Sequence, residues 1–404
     1  MALCLCAAAC VMSVSASAAG EHTDHYNCGV ANCENTNHGH SEVTTWIEVK
    51  QTDVSESNEL TLEAGKSYYL GEDIRVKYAI NIKGTVNLCL NGHSITKTAE
   101  SSTFYGVITV DDNSTFTLCN CKTGGTITHA SGKTGRGVRI GSSSPNSRTT
   151  SFIMYGGTIS GNRTNNQDGA GVLVQGASFQ MYGGKISDNH IEAAPNYGGG
   201  GVCAHTGGTF TMYGGEISGN TSARDGGGVS VVGVPFTMKG GSITNNTASA
   251  GDGGGAALYN GRFELSGGTI TGNRATGNGG GVYTNENLYT GRTASGSVNI
   301  TGNKNAAGAD NNVYLLSGVY MIVTGELKNV IGVTTESVPS ASNAVMIAAD
   351  GGYMTEAMKD HFVYDLAGDC KSVYDSTYRA IYLKVIPHEH PICGATHTNI
   401  NGHT

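Results

Sequence analysis

An eleven-residue phrase recurs along the middle of the chain. It reads FIMYGGTISGN from Phe152, FQMYGGKISDN from Phe179, FTMYGGEISGN from Phe210, FTMKGGSITNN from Phe236 and FELSGGTITGN from Phe263. The phenylalanines fall 27, 31, 26 and 27 residues apart. A regular period of this size marks a stacked array, in which each unit buries its apolar face against its neighbours. Within the phrase, Phe210 and Met212 alternate with Thr211 and Tyr213, which is strand periodicity. After the Gly214-Gly215 break a second short strand carries Ile217 and ends at Asn220, and Gly226-Gly227-Gly228-Val229-Ser230-Val231 supplies a third.

Three strands in so short a unit exclude a propeller blade, which needs four strands and about 40 residues. The spaced leucines of leucine-rich repeats and the GGxGxDxUx run of calcium-binding nonapeptides are both missing. The pattern predicts an all-β chain, a parallel β-helix of roughly eight or more coils, with coils anchored at Val86, Phe116, Phe152, Phe179, Phe210, Phe236, Phe263 and Val298. Composition agrees. Sixty-one glycines against six prolines, with 14% charged residues, suit tight corners rather than helices. A net charge of −8 argues against nucleic acid and anionic membranes as partners.

The asparagines Asn162, Asn189, Asn220, Asn246, Asn273 and Asn303 each follow an isoleucine by three residues. Stacked amides at one corner would hydrogen-bond along the axis as a ladder. The plainer alternative is that each asparagine tolerates a left-handed corner.

These residues carry a family likeness. Ile-Ser-Gly-Asn alternating with Gly-Gly-Gly-Val resembles the FxxN and GG[AGLI][ILV] repeats of polymorphic bacterial surface proteins, with Ile in place of Phe. Val86 to Ile95, VNLCLNGHSI, looks like the opening coil of pectin-lyase-like proteins. The resemblance implies a right-handed parallel β-helix displayed outside the cell as an adhesin, with host or environmental glycans or surface proteins as partners. It also admits an enzyme, because lyases and hydrolases of the pectin-lyase-like kind share the fold. Such lyases bind calcium through clustered carboxylates and use a basic residue, and the hydrolases use an aspartate cluster. Asp168, Asp225 and Asp252 take equivalent places before their glycine runs, and Asp225 with Asp252 could hold calcium or stand as solvated corners. Arg136 and Arg139 lack an acid in register.

Residues 1–19 resemble a secretory signal, with a small-residue cleavage pattern at Ala16-Ser17-Ala18 and no basic start, so the front is expected to be incomplete. Residues 20–45 form a Cys/His-rich linker containing His22, His25, Cys28, Cys33, His38 and His40. The same grammar returns in residues 388–404 as His388, His390, Cys393, His397 and His403, which reads as the start of a further module. Three readings stand for these motifs: a zinc site, a disulfide in an exported chain, or a His-rich spacer. The β-helix is expected over 46–317 and a cap over 318–387, with a short helix near Tyr353–His361.

Position four of the phrase is Tyr155, then Tyr182, then Tyr213, before changing to Lys239 and Ser266. Alternation points these rings outward beside buried methionines, as an exposed strip that could bind a sugar chain or simply brace the sheet. The expectation is therefore an exported, cell-surface-associated module without catalysis, anchored to the envelope through regions outside this chain. A polysaccharide-active enzyme and a passive spacer are the alternatives.

Overall fold

The computed structural model describes residues 45–386 except 56, 58, 102–104, 144–148, 194, 292–297 and 367–368. Beyond that span it describes only the short strands Met12–Ser13, His25–Tyr26, Glu42–Val43, His388–Glu389 and Thr396–His397. The chain is all-β and winds as a parallel β-solenoid of about 10 turns. At about 4.8 Å per turn this makes a rod on the order of 50 Å.

One coil shows how the sequence makes the turn. Thr209–Met212 forms a phenylalanine face, Glu216–Ser218 an isoleucine face, Thr221–Ser222 a short corner strand, and Val229–Val232 a valine face. The two-residue corner strand was not expected from the repeat. It stacks in its own five-stranded sheet from Arg163–Thr164 to Arg274–Ala275. Successive coils are in register: Phe210 pairs with Phe236, Ile217 with Ile243 and Val229 with Ala256.

In-register stacking places like on like in the core. Phe116, Phe152, Phe179, Phe210 and Phe236 stack with ring centroids 4.9–5.2 Å apart. Each is buried, as are the isoleucine and valine columns beside them. Burying one such side chain contributes about 1.5–3 kcal/mol, so the repeat secures its own stability coil by coil.

Two boundaries differ from expectation. On the phenylalanine face Phe263 is followed by Leu288, not Val298. Val298 precedes Asn299–Thr301, which pairs through Ile300 with Ile270 on the isoleucine face. The connection after Thr290 is longer than the usual Gly-Gly corner, so the apolar spacing of Val298 and Ile300 imitates the wrong strand. Parallel stacking also continues past residue 317, through Met321–Val323, Ile331–Thr335, Val345–Asp350 and Phe362–Tyr364. Only then does the antiparallel hairpin Cys370–Asp375 with Ala380–Val385 close the phenylalanine-face sheet, covering an edge that would otherwise invite pairing. The expected helix near the end is a 3-10 helix, Glu356–His361.

Candidate functional site

The asparagines form a continuous buried ladder. The Nδ2 of Asn162 donates to Oδ1 of Asn189 at 3.0 Å, and the same bond links Asn189 to Asn220, Asn220 to Asn246, Asn246 to Asn273, and Asn273 to Asn303. Each Oδ1 also accepts the backbone N–H of the asparagine one coil earlier. The second Nδ2 hydrogen goes to an isoleucine carbonyl, as from Asn220 to Ile186 at 2.9 Å. Every rung is fully buried, and this bonding leaves no amide group unused.

The ladder bears on the last glycine of each glycine run. A Cβ on Gly137, Gly171, Gly201, Gly228, Gly255 or Gly281 would lie 2.7–3.0 Å from a ladder Nδ2. A backbone carbonyl of the next coil stands closer still, at 2.4–2.7 Å, so the residue before the inward Val or Ala must be glycine to clear both that carbonyl and the asparagine amide. Ile-x-x-Asn and Gly-Gly-Gly-Val are two sides of one contact.

Both ends of the ladder are capped by titratable groups that the repeat does not announce. At the first rung His129 Nδ1 lies 2.9 Å from Asn162 Oδ1, while its Nε2 lies 2.9 Å from Ser101 Oγ. Burial pushes the His129 imidazole down to about 4. At the far end Asn303 donates to Asn312, which donates in turn to Asp365.

On the outside of the phenylalanine face, Tyr155, Tyr182 and Tyr213 are in register. Their rings stack at 5.2 and 4.4 Å, and Lys239 Nζ lies 5.1 Å from the Tyr213 centroid. Burial and the neighbouring Tyr213 hydroxyl push the Tyr182 phenol up to about 12. The stacking alters what the strip offers. The ring faces cover one another, so the strip offers ring edges instead of flat faces, and the Tyr182 hydroxyl donates to Gln180 Oε1 at 3.0 Å.

The three corner aspartates act on backbone. Asp168 Oδ1 accepts from the N–H groups of Tyr197 and Gly198, Asp225 Oδ1 from Asp252, and Asp252 Oδ1 from Asn278. A shallow groove of about 660 Å³ runs past Arg224, Asp225, Gly251, Asp252, Thr276 and Gly277. Arg224 lies 3.5 Å from Asp225, a cation already beside the carboxylates considered for calcium. Calcium takes six to eight oxygens, and among the described residues no group of three His, Cys, Asp or Glu is placed to hold a metal. Beyond the groove Tyr259 lies 5.4 Å from Tyr283 with the rings tilted by 46°, and Tyr283 stacks on Tyr314 at 6.1 Å. Burial, then Asp225 and Asp252, raise the Tyr259 phenol.

Arg136 is buried and donates from Nε to the Asp168 carbonyl at 2.7 Å, a bond that braces a corner. Of the Cys/His motifs, His25–Tyr26 pairs antiparallel with Glu42–Val43, and His388–Glu389 with Thr396–His397. His22, Cys28, Cys33, His38, His40, His390, Cys393 and His403 lie outside the described residues.

One further cluster stands outside the repeat: Trp46, Tyr69, Cys89 and Cys119, with Cys121 and Tyr155 packed against them. The register of Val86 with Phe116 already places Cys89 beside Cys119, and that signal was available in the spacing. Comparison with known proteins finds no matching family model, no matching curated relative and no matching solved structure.

Proposed function

We propose that the chain is a non-catalytic display and adhesion module of a cell surface, exported and built on a pectin-lyase-like, right-handed β-helix. Its repeats resemble those of polymorphic bacterial surface proteins. The observation that carries the proposal is the outward column Tyr155, Tyr182, Tyr213 and Lys239, one residue per coil in register along the rod. Such a column presents hydroxyls and a cation at a spacing of about 4.8 Å. An extended glycan or a strand-like surface of a partner protein fits that repeat. The carboxylates that a lyase or hydrolase would recruit hold neighbouring coils together instead, through Asp168, Asp225 and Asp252.

Because the rings brace each other by their faces, replacing Tyr155, Tyr182 and Tyr213 by phenylalanine keeps the stack and removes the hydroxyls, and with them the bond the Tyr182 hydroxyl donates to Gln180 at 3.0 Å. Binding to glycan arrays or mucus-coated surfaces is expected to fall in that variant while the melting temperature holds. Binding unchanged in the triple phenylalanine variant and in a triple serine variant would remove the strip from the proposal.

A further inference from the structure

We propose that Cys89 and Cys121 form a redox site that reacts with an external disulfide and locks two successive coils together. Cys89 ends the strand Thr85–Cys89, and Cys121 stands in the turn after the strand Thr115–Cys119 of the next coil. Their sulfurs are 3.5 Å apart. A disulfide needs about 2.05 Å, so a small turn movement at Cys121 closes the gap.

The three thiols differ in access. Cys89 and Cys119 are fully buried, whereas Cys121 is partly exposed. Cys121 is therefore where a soluble disulfide arrives. Its thiolate attacks one sulfur of the incoming disulfide, forming a mixed disulfide and releasing one thiolate. Cys89 then loses its proton and attacks the Cys121 sulfur, expelling the second thiol. The protein loses two electrons and two protons, and one external disulfide becomes two thiols. Cys119 neighbours Cys89 in register on the adjacent parallel strand and keeps its thiol. The hydrogen bond with Cys119, and then burial, raise the Cys89 thiol against the opposing bond with Cys121, which makes the second step the slow one.

The site has a built-in reporter. Trp46, the only tryptophan of the chain, is buried in the same cluster. A disulfide at contact distance quenches indole emission.

The test uses the full chain, equilibrated with oxidised glutathione and then digested for peptide mapping. The expected result is a Cys89–Cys121 link, with loss of two hydrogens in mass. Trp46 emission should fall and recover with dithiothreitol, and the melting temperature should rise on the order of 5 °C. Cys89→Ser and Cys121→Ser should abolish the link, and Cys119→Ser should retain it. A link through Cys119, a mixed disulfide stalled at Cys121, or no oxidation at these residues would each overturn the proposal. If a serine variant fails to fold, the map of the unaltered protein decides alone.

Discussion

Asn312 donates its backbone N–H and its side-chain amide to the two carboxylate oxygens of Asp365, each at 2.6 Å. Each asparagine of the ladder donates its backbone N–H and one Nδ2 hydrogen toward this end of the rod, while its other Nδ2 hydrogen goes back to an isoleucine carbonyl of the preceding coil. An acceptor-only carboxylate is the side chain that closes such a chain, as an anion does at a helix N-terminus.

Burial nevertheless raises the Asp365 carboxyl above its ordinary 3.8, against the pull of hydrogen bonds from Asn312 and Thr334. The native state then binds the proton more tightly than the unfolded chain. Stability from this group should therefore decline as pH rises from 3.8 through the raised native value. Asp365→Asn, lying as one more rung, should hold the melting temperature near neutrality and flatten that slope. Asp365→Ala strands the two Asn312 donors and should cost about 2 kcal/mol or more. Thermal melts of the three proteins across acid pH check both statements.

His129 caps the opposite end with the reverse sign. Its native value near 4 lies below the ordinary 6.5 because the ring is buried. The unfolded chain binds the proton more readily, so stability present above 6.5 is lost as pH falls toward 4. The full effect is about 3 kcal/mol. Melts of His129→Gln between these values should lack the slope, and a slope equal to that of the unaltered protein would mean another group causes it.

Incubation with pectate, alginate or glycosaminoglycans, with and without calcium, should yield neither unsaturated products nor new reducing ends. Asp225 and Asp252 each spend an oxygen on a backbone N–H, and Arg224 occupies the space beside them. Turnover that disappears in Asp225→Asn would replace the display proposal with an enzymatic one.

Much of the coil was legible because its causes are local and repeated. Phe152 to Phe263 fix the register, and Ile159 with Asn162 mark the next corner. Legibility fails where a cause is not repeated. The extra residues before Val298 shift its strand to another face, and no period reveals a longer corner. Asp365 lies 53 residues from Asn312 and belongs to no repeat, so only the folded rod brings it to the ladder. The tyrosine strip was readable in position but not in presentation. Alternation puts Tyr182 outside but does not say that its ring lies face to face with Tyr155 and Tyr213, at 5.2 and 4.4 Å.

The tightest test of the architecture pairs Asn220 with Gly201. Asn220 accepts from the backbone and side chain of Asn189 and donates to Ile186 and Asn246. Asn220→Ala leaves these buried partners unsatisfied and should cost about 3 kcal/mol or more. A methyl at Gly201 would stand 3.0 Å from Asn220 Nδ2 and 2.6 Å from the Gly228 carbonyl. Gly201→Ala should therefore push the rung aside and loosen the coil even though the Gly201 φ is not in the left-handed region. Part of that clash is with the amide itself. In an Asn220→Ala background the same methyl meets open space on that side, so the second substitution should cost less than it does alone. Denaturant titration of the four proteins measures the coupling directly. Strict additivity would show that glycine is needed there for the Gly228 carbonyl and for the Ile217 methyl, 2.9 Å away, and that the asparagine does not require it.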